Sequence, residues 1–284
     1  MATIVVNGFN IGYEIIGDGK KTAVITPGGR FSKDTPGVRE LAVKLAEGGL
    51  RTLIWDRLNC GESDISFTGE NESVMNADML AALLRTLNFG PTLVMGGSAG
   101  ARVSLLTAIR HPEVVDRLFV LWLTGGLIGL ALLSYVYCHD SMLAAALDGM
   151  DAVTKLPGWK EQLERNPRNR QILLSQDASA FIEKMKVWGA SYIPAPDCVV
   201  PGIAPSDLAK LKMPVMVLRG GQADIHHPRE TSEIVHSQIP GAKIAEPPWG
   251  DREWLDRAKA AARGEGLFAR WPLLAPQILA FARS

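Results

Sequence analysis

Cysteine is scarce. The 284-residue chain has three, Cys60, Cys138 and Cys198, and no C-x-x-C pair. This excludes a disulfide framework, leaves no zinc-ligand spacing, and fits a reducing compartment. An excess of either charge is missing too, because Lys plus Arg and Asp plus Glu both number 30, with no basic run and no aromatic-basic interleaving. No global field gathers polyanions, so neither nucleic acid nor membrane is expected as a partner. Residues 1–8 lack the basic start and long apolar stretch of a secretory leader, so the expected compartment is the cytoplasm. Internal repeats and low-complexity segments are absent.

Residues 118–138 contain no charge at all. About 20 apolar residues suffice to span a bilayer. Glycine pairs punctuate elements, however, and the flanks show no basic excess. The stretch therefore reads as a buried strand over 118–123, a break at Thr124-Gly125-Gly126, and an apolar helix.

The chain does have apolar residues in quantity, 47% against 21% charged, which predicts a well-buried core. Its length fits one α/β domain, or such a domain carrying a large insertion. Short apolar runs alternate with helical patterns. Strands are expected at 4–6 and 11–15 around an Asn7-Gly8 turn, then at 23–25, 52–55, 92–95 and 118–123. Helices are expected at 38–46, 76–87 and 101–110. This rhythm predicts an α/β fold, a mostly parallel sheet with helices on both faces.

The rhythm breaks over 125–204, which is helical or irregular. It resumes with a strand at 215–218, a helix at 228–238, a short run at 243–245, and a helix at 273–281. The expected organisation is thus a core domain of residues 1–124 and 205–284, with a helical cap inserted at 125–204. Ligands of open α/β sheets bind beyond the carboxyl ends of the strands, where such a cap would enclose them.

A strand, the turn Gly96-Gly97-Ser98-Ala99-Gly100 and a helix give the context that G-x-S-x-G requires. Small neighbours permit a tight turn that lifts the serine hydroxyl above the sheet, and the helix N-terminus faces any developing oxyanion. The plainer reading is a glycine-rich turn that packs closely or holds a phosphate. Further segments fit the first reading, and here the sequence resembles the α/β-hydrolase superfamily over nearly the whole chain outside the cap. Thr26-Pro27-Gly28-Gly29-Arg30 resembles its oxyanion loop, which implies Gly29 and Ala99 N–H groups as oxyanion donors. Residues 55–64 resemble D-x-R-G-x-G-x-S, departing from it at Asn59 and Cys60. Residues 108–113 resemble the A-x-x-x-P-E ending of the helix after the nucleophile, which makes His111 a helix-end residue and not a catalytic one. The strand at 215–218 followed by Gly221-Gln222-Ala223-Asp224 resembles strand-G-x-x-D, which implies Asp224 as the triad acid. As an alternative, Asp224 is an ordinary turn or cap residue.

The resemblance fails at the base. The family supplies its histidine after the last strand, but no histidine follows His236, and Asp251 stands where it is expected. An unactivated serine is a poor nucleophile at neutral pH. Among the five histidines, His226 and His227 directly follow Asp224 and are candidate substitute bases, or else pack the loop or bind substrate. His139 lies in the inserted segment, over the pocket. His236 reads as a surface residue. Asp251 is a further candidate base, alone or paired with Asp224, with desolvation by Trp249 and Trp254 raising one pKa.

Trp122, Trp188 and Trp249 suggest an aromatic cavity, although buried core tryptophans are the commoner case. Arg30 is placed to grip a substrate carboxylate, or is a surface arginine. Arg102 is a weaker candidate. No metal or other cofactor is expected, and the partner is a small-molecule substrate, with a homodimer left open. Three functions stay in play: hydrolysis of an ester, lactone or activated carbon–carbon bond through Ser98; isomerase, lyase or cofactor-free oxygenase chemistry on the same oxyanion hole; or ligand binding without catalysis.

Overall fold

A computed structural model describes residues 2–193 and 198–284. The chain opens with β1 (Ala2–Val6) and β2 (Phe9–Ile16), antiparallel and joined through Asn7 and Gly8, both at positive φ (49° and 85°). Such a two-residue turn matches the twist of paired strands, and Asn-Gly adopts it with little strain. Then come β3 (Lys21–Thr26), α1 (Val38–Glu47), β4 (Leu50–Trp55), α2 (Glu72–Thr86), β5 (Thr92–Gly97), α3 (Ala99–Arg110) and β6 (Val115–Leu121). All pairings among β3 to β6 are parallel.

After β6 the chain turns helical: α4 (Leu127–Ser134), a π-helical turn over Tyr135–His139, α5 (Asp140–Val153), α6 (Lys160–Arg165), α7 (Arg168–Leu174), α8 (Ala178–Ala190) and α9 (Pro205–Leu208). The sheet resumes with β7 (Val215–Leu218), α10 (Arg229–Gln238) and β8 (Lys243–Ala245), and the chain ends with α11 (Glu253–Ala261) and α12 (Ala275–Arg283). The eight strands lie in the order β1-β2-β4-β3-β5-β6-β7-β8.

The inner strands are buried on both faces, as a helix-covered parallel sheet requires. Val24, Leu53 and Val94 enter the core that holds α2 and α3, while Ala23, Ile25, Ile54 and Met95 enter the core under α1 and α12. One feature of the order positions the site. From β3 the chain steps to β4 on one side, and β5 then joins β3 on the other, with Thr26 beside Gly96. A reversal of this kind leaves a crevice beyond the strand ends, because the two outgoing loops diverge. Here those loops carry Gly28-Gly29 and Ser98.

Boundaries differ from expectation where local chemistry intervenes. α2 starts at Glu72, not 76, because extended Asn71 caps it, its Oδ1 accepting the Val74 N–H at 2.9 Å. β6 ends at Leu121, since Trp122 takes φ 47° and leaves the strand. α11 was not anticipated; only Glu253 and Ala260 of it are buried. The uncharged stretch divides at the glycine pair, with Gly126 at φ 73° and α4 starting at Leu127. The helical run Leu127–Val153, kinked at Gly149 (φ 76°), is long and apolar enough, by length and composition alone, to cross a membrane.

Candidate active site

Ser98 sits between β5 and α3 at φ 57°, a left-handed conformation that costs energy for a residue with a Cβ. The turn is enforced by crowding. A Cβ on Gly100 would lie 2.1 Å from the Thr26 carbonyl oxygen, and one on Gly96 would lie 2.3 Å from that of Gly100. The Ser98 N–H donates to the carbonyl of Trp122 at 3.0 Å, tying the turn to the end of β6.

The loop after β7 supplies the partners. His227 Nε2 stands 2.9 Å from Ser98 Oγ, and His227 Nδ1 stands 2.9 Å from Asp224 Oδ2. Both side chains of the His227–Asp224 pair are only 1% exposed. The other oxygen of Asp224 accepts the N–H groups of His226 (2.9 Å) and His227 (3.0 Å). Asp224 therefore caps the turn and holds the imidazole ring at once. Burial pushes its carboxyl up, but the His227 ring and these two N–H groups more than offset that and hold it below the usual carboxylate range. Trp122 stacks on the His227 ring (centroids 5.9 Å apart, planes 20° apart), and Trp254 meets it edge-on at 4.5 Å.

Gly28 and Gly29 lie across from the serine; a Cβ on Gly28 would fall 2.8 Å from that of Ser98. The buried guanidinium of Arg57 donates to the carbonyls of both Gly28 and Gly29. Neither the Gly29 nor the Ala99 N–H is engaged by another described group.

The remaining sequence candidates scatter. Asp251 is no part of this chain of hydrogen bonds: its side chain is 51% exposed, 3.7 Å from Arg229, and accepts the Gln222 N–H. The short Asp224-to-His227 turn brings an imidazole to Ser98 from the other side, leaving Asp251 at the surface. Arg30 does border the site, but its guanidinium forks onto Glu72 (3.2 and 3.1 Å), donates to the Tyr137 carbonyl, and lies 4.2 Å over the Trp159 ring. Burial opposes its charge, yet Glu72 more than compensates and its pKa is raised. It is a strut between loops, its Nε and Nη2 already engaged. Trp188 packs on Phe67 and donates to the Gly69 carbonyl, in the core of the helical segment. His139 is exposed, and Trp249 flanks Trp122 beside a second cavity next to Asp251. Arg102 is buried one turn into α3, over the ring of Tyr192. Among the described residues no cluster of three or more His, Cys, Asp or Glu is placed to hold a metal ion.

Over Ser98 and His227 lies a cavity of about 340 Å³, with Gly28 and Gly29 in its wall. Leu132, Val136 and Tyr137 of the helical segment close it on one side, with Phe31, Leu267 and Phe268 on another. These apolar walls, and the parts played by Trp254 and Arg57, were not anticipated.

A family model described as the alpha/beta hydrolase fold matches residues 27–122, the segment from the Gly28-Gly29 loop through Ser98 to Trp122. The chain is an α/β-hydrolase-fold protein. Serine hydrolase BPHL of Homo sapiens is 24% identical to this chain over 256 residues, covering 88% of this chain and 79% of that one. An esterase from Exiguobacterium antarcticum superposes with a TM-score of 0.61 at 15% identity, covering 99% of each chain. The enol-lactonase from Burkholderia xenovorans superposes with a TM-score of 0.55 at 20% identity, covering 93% of this chain and 97% of the other.

Proposed function

We propose that this protein is a serine hydrolase acting on an ester or lactone of a small organic compound. The observation that carries the reading is the unbroken relay from Ser98 Oγ through His227 to Asp224, with both contacts at 2.9 Å. Asp224 holds the Nδ1–H tautomer, which leaves Nε2 free to take the Ser98 proton as Oγ attacks the carbonyl. The Gly29 and Ala99 N–H groups receive the oxyanion. His227 then passes that proton to the leaving oxygen as the acyl C–O bond breaks, and water releases the acyl group from Ser98 by the same path in reverse. The helices from α4 to α6 act as the cap that closes the cavity. A serine hydrolase similar in sequence, and an esterase and a lactonase similar in fold, support hydrolysis of this bond class.

A complete relay also favours this reading over chemistry that leaves Ser98 unmodified, since such chemistry has no need of a serine activated by an oriented base. Treatment with a fluorophosphonate tests it. Mass spectrometry is expected to find the phosphonyl group on Ser98, with ester turnover lost in parallel. Labelling elsewhere, or turnover that survives Ser98→Ala, refutes it.

A further inference from the structure

His226 is the neighbour of the proposed base, yet its ring turns to a different partner. The indole Nε1–H of Trp254 donates to His226 Nδ1 at 2.8 Å. An indole nitrogen only donates, so Nδ1 must present its lone pair, and the neutral ring carries its proton on Nε2. Burial first, then the nearby His227, lowers the His226 pKa and keeps the ring neutral. The backbone is pinned as well: its N–H donates to Asp224 Oδ1 at 2.9 Å, and its carbonyl accepts the Gly125 N–H at 3.2 Å.

His226 lines the same cavity as Ser98, and its Nε2 has no hydrogen-bond partner among the described residues. Its ring centroid is 6.2 Å from that of His227, which sets it a few bonds from the point of attack. The cavity is otherwise walled largely by hydrocarbon and aromatic groups, and Arg30 is already committed to Glu72.

Building on the hydrolase reading, we infer that His226 Nε2–H is a specificity-determining donor for a second, uncharged oxygen of the substrate, close to the scissile carbonyl. The preferred substrates are oxygenated esters or lactones, with an ether, hydroxyl or carbonyl oxygen beside the reacting bond. A purely hydrocarbon substrate strips water from this N–H and gives nothing back, which is how a polar group in a closed site rejects an analogue.

The test uses two isosteric ester pairs that differ by one ether oxygen: 2-methoxyethyl butyrate against n-butyl butyrate, and n-butyl methoxyacetate against n-butyl butyrate. In each, the kcat/KM ratio of ether to hydrocarbon is compared between wild type and variants, which cancels intrinsic ester reactivity. In at least one pair, His226→Phe is expected to lower the ratio by about 3- to 10-fold, and His226→Gln, which keeps an N–H, to restore most of it. Unchanged ratios in both pairs, with a uniform fall for every ester, assign His226 a merely structural role and overturn the inference. ¹⁵N NMR supplies an independent readout on the unreacted protein. Nδ1 is expected unprotonated and Nε2 protonated, with Trp254→Phe eroding that preference; the opposite tautomer also overturns the inference. Should wild type cleave none of the three esters, the hydrolase reading fails by itself, and the His226 assignment is decided by the tautomer.

Discussion

Asp224 and His227, three residues apart on one loop, meet at 2.9 Å between Oδ2 and Nδ1, while the other carboxylate oxygen holds the backbone N–H of the same histidine. The proposed acid and base are thus fixed to each other by local geometry. In the arrangement the sequence resembles, they come from separate segments.

Substitutions along this relay should separate sharply from those beside it. Ser98→Ala and His227→Ala are expected to lower ester kcat by at least about a thousandfold, and Asp224→Asn by up to about 10⁴-fold through loss of the correct tautomer. Asp251→Asn should change kcat less than about 2-fold, because surface ion pairs contribute little. Steady-state kinetics on one ester decides all four. Near-normal turnover by His227→Ala, or collapse in Asp251→Asn, assigns the base wrongly.

Acid should destabilise the fold in two stages. The pKa of His226 is lowered by burial and by His227, so the unfolded chain takes up that proton more readily. Its contribution is complete above the unfolded value of about 6.5 and is lost as pH falls through the lower folded value. Asp224 is held low by His227 and two N–H groups despite its burial. Its contribution is present above about 3.9 and disappears as pH falls through the folded value below that. Urea midpoints measured from pH 7 down to pH 3 should show both losses, and His226→Gln should remove the first. A midpoint independent of pH over that range contradicts both shifts.

Gly100→Ala should damage the serine turn directly. The new methyl would approach the Thr26 carbonyl to 2.1 Å, and both atoms belong to buried backbone with little room to yield. A loss of about 1–3 kcal/mol is expected from such overpacking, together with a larger fall in kcat than in thermal stability would explain. Chemical denaturation and turnover on the same sample measure the two effects. A fully active, equally stable variant removes the steric argument.

Arg30→Met should behave as a stability defect. It leaves the half-buried Glu72 without its guanidinium, at a cost of up to about 3 kcal/mol. The double variant Arg30→Met with Glu72→Gln should recover part of that loss in urea denaturation. If Arg30→Met keeps full stability but raises KM for carboxylated esters, Arg30 contacts substrate after all.

Much of the sheet was legible because its information is local. Apolar runs such as residues 23–25 and 92–95, set between helical patterns, read directly as buried strands. Ser98 was legible for the same reason, being flanked by glycines that only a tight turn requires. Strand order was not, since no residue announces its lateral neighbour. The base remained ambiguous between His226, His227 and Asp251, because the choice depends on which way each side chain leaves the loop. One signal was nevertheless present: an aspartate three residues before a histidine, in a turn where its carboxylate caps the backbone, brings the ring beside the carboxylate. The ion pair of Arg30 was not legible for the opposite reason, because its partner Glu72 lies 42 positions away.

With acid and base on one short turn, the segment after β8 carries no part of the proposed proton relay. It is released from supplying a base, and Trp249, Asp251 and Trp254 occupy it here. The corresponding vulnerability is that the loop between β7 and α10 is a single point of failure. One local opening there would withdraw acid and base together, so inactivation should follow that loop's opening equilibrium, ahead of the melting of the sheet.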